Sequence, residues 1–136
     1  MKQTVLGGFV RRVAVLWALL SGFCAFGAGF YYDVNYDGTV TVTGYSGTVS
    51  ANLSIPSTID GMPVAAIGEC AFSDNETLRS VKLPESLRFI EKEAFDSCPN
   101  LESVTFSEGL ISIGFDAFFG CESLGNVVIP STVQSG

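Results

Sequence analysis

Histidine is absent from all 136 residues. That removes Ser–His and Cys–His nucleophile pairs and most zinc sites together, because each needs an imidazole as base or ligand. Basic residues are scarce where they would matter. Beyond Phe30 only Arg79, Lys82, Arg88 and Lys92 stand against all 14 acidic residues. This balance argues against nucleic acid or an anionic membrane surface as partner. At the N-terminus an uncharged run stretches from Val13 to Phe30 behind Lys2, Arg11 and Arg12, with VAVLWALL as its densest part. Towards its end, small residues stand at the spacing a signal peptidase reads, Ala25-Phe26-Gly27 or Gly27-Ala28-Gly29. The segment reads as a cleaved export signal, with an uncleaved membrane anchor as the alternative. Phe23 before Cys24 is too bulky for a lipoprotein cleavage site. Either way the remaining chain, long enough for one domain with a core, is expected to be secreted or on the cell surface.

Beyond the export segment the chain starts as a hairpin. Tyr32, Val34 and Tyr36, then Val40 and Val42, alternate with polar residues around Asp37-Gly38, a two-residue turn signal. Asp33, Asn35 and Asp37 followed by Gly38 also spell the first half of an EF-hand calcium loop. Such a loop needs a bidentate glutamate at its twelfth position, which here is Gly44, and the next segment is strand-like. The hairpin reading is preferred and no metal site is expected.

From Leu78 onward one pattern repeats every 23 residues. Leu78, Val81, Leu83, Leu87 and Ile90 are answered by Leu101, Val104, Phe106, Leu110 and Ile113. Ala94-Phe95 and Cys98 are answered by Ala117-Phe118 and Cys121, and a further copy opens with Leu124, Val127, Ile129 and Val133. Going backward, Val64, Ile67 and Ala71-Phe72 keep the period, but Ile55-Pro56 precedes Leu83-Pro84 by 28. The five extra residues fall around Asp60-Gly61-Met62-Pro63, read as a longer corner loop. A fixed period of this size marks stacked repeats.

Within one repeat, residues 78–83 alternate as a short strand that Pro84 ends, because proline has no amide hydrogen for a ladder. Leu87 and Ile90 then point inward from an irregular return. Stacked copies would place the strands about 4.8 Å apart in a parallel sheet, with Phe72, Phe95 and Phe118 forming a spine. Phe115 and Phe119 fall outside that ladder. Cys98 and Cys121 share a column whose first place is Asn75. In an exported protein a disulfide is one reading of this pair, although side chains stacked in register point the same way. A small buried residue is the other reading. Cys70 belongs to another column, with Glu93 and Asp116.

The phrase IPSTIDGMPVAAIGECAF, and the cycle of Cys, Leu, Val, Leu or Phe, Ile and Ala-Phe that follows it, resembles the leucine-rich repeats of the BspA-like bacterial surface-antigen type. YYDVNYDGTVTVTGYSG resembles the segment that leads into such arrays. The resemblance implies a curved repeat solenoid, secreted or surface-bound, whose members act as adhesins or protein-binding modules without catalysis. The expected architecture is a leucine-rich-repeat stack of 23-residue units with a short parallel sheet, preceded by an N-terminal β-hairpin cap. Its parts are an export signal or anchor at 1–29, the hairpin at 30–47, and about three repeats plus an incomplete last one at 48–136. An array this short is also readable as a fragment of a longer surface protein.

If the strands bind a partner, their outward residues carry the contact. These are Arg79, Ser80 and Lys82, then Glu102, Ser103 and Thr105, then Asn126 and Val128, with Ala51, Asn52, Ser54 and Gly125 completing the rows. The partner would be an extracellular protein or cell-surface ligand, and no cofactor is implied. The competing reading is a solvated face on a structural spacer, since Arg79 is the face's one residue of a type enriched at hot spots. A carboxylate glycosidase would draw on Glu91, Glu93, Asp96 or Asp116, but such a pair needs a pocket and one raised pKa.

Overall fold

The structure, a computed structural model, describes residues 29–134. The export or anchor reading of the N-terminal segment, Cys24 included, lies outside the described residues. Within them no helix is long and apolar enough to cross a membrane.

The chain opens with β1 (Phe30–Val34) and β2 (Val40–Tyr45), an antiparallel pair with a register shift between Tyr31 and Tyr32. The turn differs from the two-residue expectation. Asn35 N–H donates to the Thr39 carbonyl at 2.8 Å, and Gly38 N–H to the Asn35 carbonyl at 3.1 Å. The loop is therefore Tyr36-Asp37-Gly38, with Gly38 at φ 83°. Asp37 explains the extra residue: its carboxylate accepts both the N–H and the hydroxyl of Thr39, at 3.0 and 2.7 Å. The Asn35 amide donates to Thr39 Oγ1 at 2.9 Å, so two of the would-be calcium ligands serve the turn.

The two-residue turn occurs instead at Asp60-Gly61, where φ is 50° and 79°. Both residues are left-handed, as a type I′ turn requires. It joins β4 (Thr58–Ile59) to β5 (Met62–Ile67), so the insertion read as a corner loop is a second hairpin. The Tyr32 hydroxyl donates to the Asp60 carboxylate and ties the two hairpins together. Burial, reinforced by that carboxylate, pushes the phenol above its ordinary value.

Two sheets form the sides of the stack. The front sheet is parallel and holds β3 (Asn52–Ser54), β6 (Ser80–Lys82) and β8 (Ser103–Thr105). Its register carries the longer 28-residue step from Leu53 to Val81 and the regular 23-residue step from Val81 to Val104, and all three lie side by side and buried, between exposed or half-exposed neighbours. The strands are three residues long, shorter than the expected 78–83. The flanking Leu78 and Leu83 are buried and stand just outside the three-residue strand.

The return is a second sheet rather than an irregular segment. Ile67, Ile90 and Ile113 align through β5, β7 (Phe89–Ile90) and β9 (Ser112–Ile113). The hairpin joins this sheet, with β2 parallel to β5. The front sheet therefore begins at β3 without a capping strand among the described residues.

Between the sheets runs the phenylalanine spine. Phe72, Phe95 and Phe118 stack with centroids 5.3 Å apart and planes within 8° and 2°. Phe30 of the hairpin meets Phe72 edge-on at 6.5 Å, and Phe106 meets Phe118 edge-on at 5.8 Å. Each fully buried ring contributes on the order of 2–3 kcal/mol. The turn holding the spine contains two columns of left-handed residues. Cys70, Glu93 and Asp116 have φ of 55°, 55° and 54°, and Asp74, Ser97 and Gly120 have 55°, 54° and 70°. In the first two rungs of each column the amide donates to a carbonyl one rung on: Cys70 to Lys92, Glu93 to Phe115, Asp74 to Asp96 and Ser97 to Phe119.

Candidate functional site

The front sheet gathers the predicted outward residues into rows. Asn52, Ser80 and Ser103 form one row, and Ser54, Lys82 and Thr105 the other. Ser80 Oγ donates to Asn52 Oδ1 at 2.8 Å. Arg79 Nη1 lies 2.9 Å from Glu102 Oε1, with the two side chains 61% and 60% exposed. An exposed pair of this kind adds little stability, but it matters for recognition, because the face's best anchoring residue is already engaged by its neighbour. Lys82, Ser103 and Thr105 are exposed.

Asn126 and Val128 are exposed as well, but they belong to no strand. Gly125 N–H donates to the Glu102 carbonyl at 3.2 Å, after which the backbone makes no further bond to β8 among the described residues. Between β8 and this segment lies a groove of about 290 Å³. Ser103, Thr105, Asn126 and Val128 line it together with Val104 and Phe106. The sequence pointed to the first four; the groove itself depends on a departure from the repeat that no column shows.

The acidic residues are spread over the turns. Glu91 Oε2 accepts Glu69 N–H at 3.1 Å, and Asp96 Oδ2 accepts Ser97 Oγ at 3.1 Å. Glu93 accepts Cys70 Sγ at 3.5 Å and pairs with Lys92 at 3.0 Å. The Lys92 bond lowers the Glu93 carboxyl below its ordinary value, and the same contact raises Lys92. Glu91, Glu93 and Asp96 thus bridge rungs or brace their turn. A second groove of about 320 Å³ contains Asp74, Glu76 and Glu122 with Ser97 and Pro99, and none of the four carboxylates considered for glycosidase chemistry.

Glu69, Cys70 and Glu93 are the one group among the described residues whose donor atoms converge as metal ligands would, all within 4.8 Å. Lys92 sits against both carboxylates, 3.7 Å from Glu69 and 3.0 Å from Glu93, and already supplies the positive charge. Partial desolvation, the Glu93 hydrogen bond and the charge of Glu69 hold the Cys70 thiol above its ordinary value.

Cys98 and Cys121 are free thiols. Each donates to a carbonyl one rung back, Cys98 to Phe72 and Cys121 to Phe95, both at 3.2 Å. Asn75, first in the column, accepts Thr77 N–H and Leu78 N–H at 2.9 and 3.0 Å. The column therefore closes the turn before each front strand with two different chemistries.

A parallel ladder at a 23-residue step with a stacked aromatic spine defines a leucine-rich-repeat solenoid of about three turns. The sequence matches the BspA type leucine rich repeat region family over residues 45–135, and the chain belongs to that family. The match counts 6 copies, more than the turns the backbone completes, and the 23-residue turn is the unit the core repeats.

Among solved structures the chain is similar to a leucine-rich repeat protein of T. pallidum, with 36% identity and a TM-score of 0.74. That likeness covers 77% of this chain and 49% of the other, so this chain spans about half the length of that relative. A leucine-rich repeat protein from Bacteroides capillosus is 34% identical at a TM-score of 0.71, over 78% of this chain and 81% of that one. A leucine rich cell surface protein from Faecalibacterium prausnitzii is 29% identical at 0.66, over 72% and 28%. No curated protein matches.

Proposed function

We propose that this chain is a secreted or cell-surface module that binds a partner protein through its front sheet, without catalysis. The observation that carries this reading is the groove beside β8, which meets two polar rows held in fixed register by the rungs behind them. The export-like N-terminus and the F. prausnitzii relative described as a cell surface protein support the location. The carboxylates engaged in rung-to-rung bonds favour a scaffold role for the acidic turns.

A spacer without a ligand is the second reading. It is favoured by the self-engaged character of the rows, where Arg79 meets Glu102 and Ser80 meets Asn52. The two separate by experiment. Arg79→Glu with Lys82→Glu is expected to abolish capture of an extracellular protein that the wild-type chain retains on a column. Unchanged capture would move the site away from the front sheet, and no capture by the wild type would favour the spacer. Cleavage of the chain by a protease added to intact cells tests the surface location.

A further inference from the structure

The front sheet stops one strand short of the rungs that support it. Ser103 N–H donates to the Arg79 carbonyl at 3.2 Å, and the Thr105 carbonyl accepts Leu83 N–H at 3.0 Å, so these residues bond towards β6. Alternate residues of a parallel strand bond to opposite sides. The N–H and carbonyl of Val104 and the N–H of Phe106 therefore face the other way. In the preceding steps of the ladder the equivalent positions are filled: Ile55 N–H donates to the Lys82 carbonyl, and Leu83 N–H to that of Thr105, both at 3.0 Å. Phe106 N–H has no such bond to Val128 among the described residues. Val128 instead stands 87% exposed across the groove.

We infer that the open edge of β8 receives an extended segment of a partner protein by strand addition, a proposal that rests on the front-face binding reading above. The edge presents donor, acceptor and donor at strand spacing, which another extended backbone matches and a helix, whose main chain bonds internally, does not. Side-chain chemistry narrows the segment. Each front strand reads polar, aliphatic, polar or charged: Asn52-Leu53-Ser54, Ser80-Val81-Lys82 and Ser103-Val104-Thr105. A fourth strand in register meets the same demand. Its central residue is aliphatic and lies between Val104 and the half-buried Val127, and its neighbours are small and uncharged beside Ser103 and Thr105. Main-chain groups left in such a groove are costly without partners, so the added bonds favour the occupied state.

Amide hydrogen exchange on the full chain tests this, with acetyl-Thr-Ser-Val-Thr-Ser-amide as the probe. In the free chain the Val104 and Phe106 amides are expected to exchange roughly 100-fold faster than those of Val81 and Leu83, which are inside the ladder. The peptide should slow both amides saturably. N-methylation of the residue after its valine, whose N–H would meet the Val104 carbonyl, should weaken binding about tenfold or more.

Four results would overturn the proposal. Protection of Val104 and Phe106 already present in the free chain would mean that residues 126–128 fill the edge themselves. Protection that grows with protein concentration would mean a second copy does. Shifts indifferent to N-methylation would mean side-chain docking, and no saturable shift would mean no strand site. The front-face reading fails separately: it falls if the Arg79→Glu, Lys82→Glu chain still captures the partner. If capture is lost in that variant while Val104 and Phe106 stay unprotected in the wild-type complex, strand addition alone falls.

Discussion

Successive rungs carry the same column types and are buried to different degrees. In the middle rung Val81, Leu83, Leu87, Ile90 and Phe95 are all 4% exposed or less. One period later Val104 and Leu110 remain buried, but Phe106, Ile113 and Phe118 are half-buried, and after another period Ile129 is 54% exposed. On the other side the hairpin prevents this loss. β2 lies against β5 and Phe30 against Phe72, and Val64, Ile67 and Phe72 stay at 3% or less. A repeat residue is apolar because of its own column, and it is buried because of the rung beyond it.

The sharpest way to break that comparison is at the spine. Phe95→Ala should lower the unfolding free energy by roughly 3–5 kcal/mol, and the half-buried Phe118→Ala by about half as much. Equal losses in denaturant melts would mean the rungs do not differ in depth. Glycines give the next test. A Cβ on Gly114 would sit 2.5 Å from Lys92 N and 2.6 Å from Glu91 C, backbone atoms that cannot step aside, whereas at Gly125 the nearest atom is 3.7 Å away. Gly114→Ala should cost about 1–3 kcal/mol, with Gly125→Ala close to neutral in the same melts.

A smaller change should run the other way. Ser107 occupies the column of Pro84 and Pro130, and its buried hydroxyl has no partner among the described residues. Ser107→Pro should stabilise by about 0.4–1 kcal/mol, seen as a higher melting temperature. A decrease would show that the third rung does not share the proline geometry of its neighbours.

The gentlest test uses pH. Burial raises the Cys98 thiol from 9.0 to about 11, so the folded state holds the proton longer than the unfolded chain does. That contribution is fully present below pH 9.0 and is lost as pH rises to about 11. Cys98→Ala should therefore show a shallower decline of stability across this window than the wild type. Identical slopes would place Cys98 in solvent.

Much of this was legible because burial within a rung follows residue type at one period. Val81 and Val104 could be aligned at that period, as could the three spine rings, and Leu53 joins them through the 28-residue offset of Ile55-Pro56. The second sheet could not: Phe89–Ile90 and Ser112–Ile113 are two residues long, too short for an alternation to register. The two Asp-Gly turns show another limit. The same dipeptide makes a three-residue loop at Asp37-Gly38 and a two-residue turn at Asp60-Gly61, and what separates them is the bond from Asp37 to Thr39. The candidate face was half readable. Its rows follow from the period, whereas the Arg79–Glu102 pairing and the opening after Gly125 depend on side-chain reach and on a missing ladder bond.

The left-handed columns carry a consequence for how the stack assembles. A turn formed in isolation would hold two residues such as Glu93 and Ser97 at positive φ, each costing on the order of 1 kcal/mol or more. Their amides would still lack the Phe115 and Phe119 carbonyls that receive them in the native fold. One turn is thus an unfavourable nucleus, and a second laid beside it is what makes the first persist. Assembly should advance by adjacent pairs of rungs, and fraying should begin where no carbonyls lie alongside.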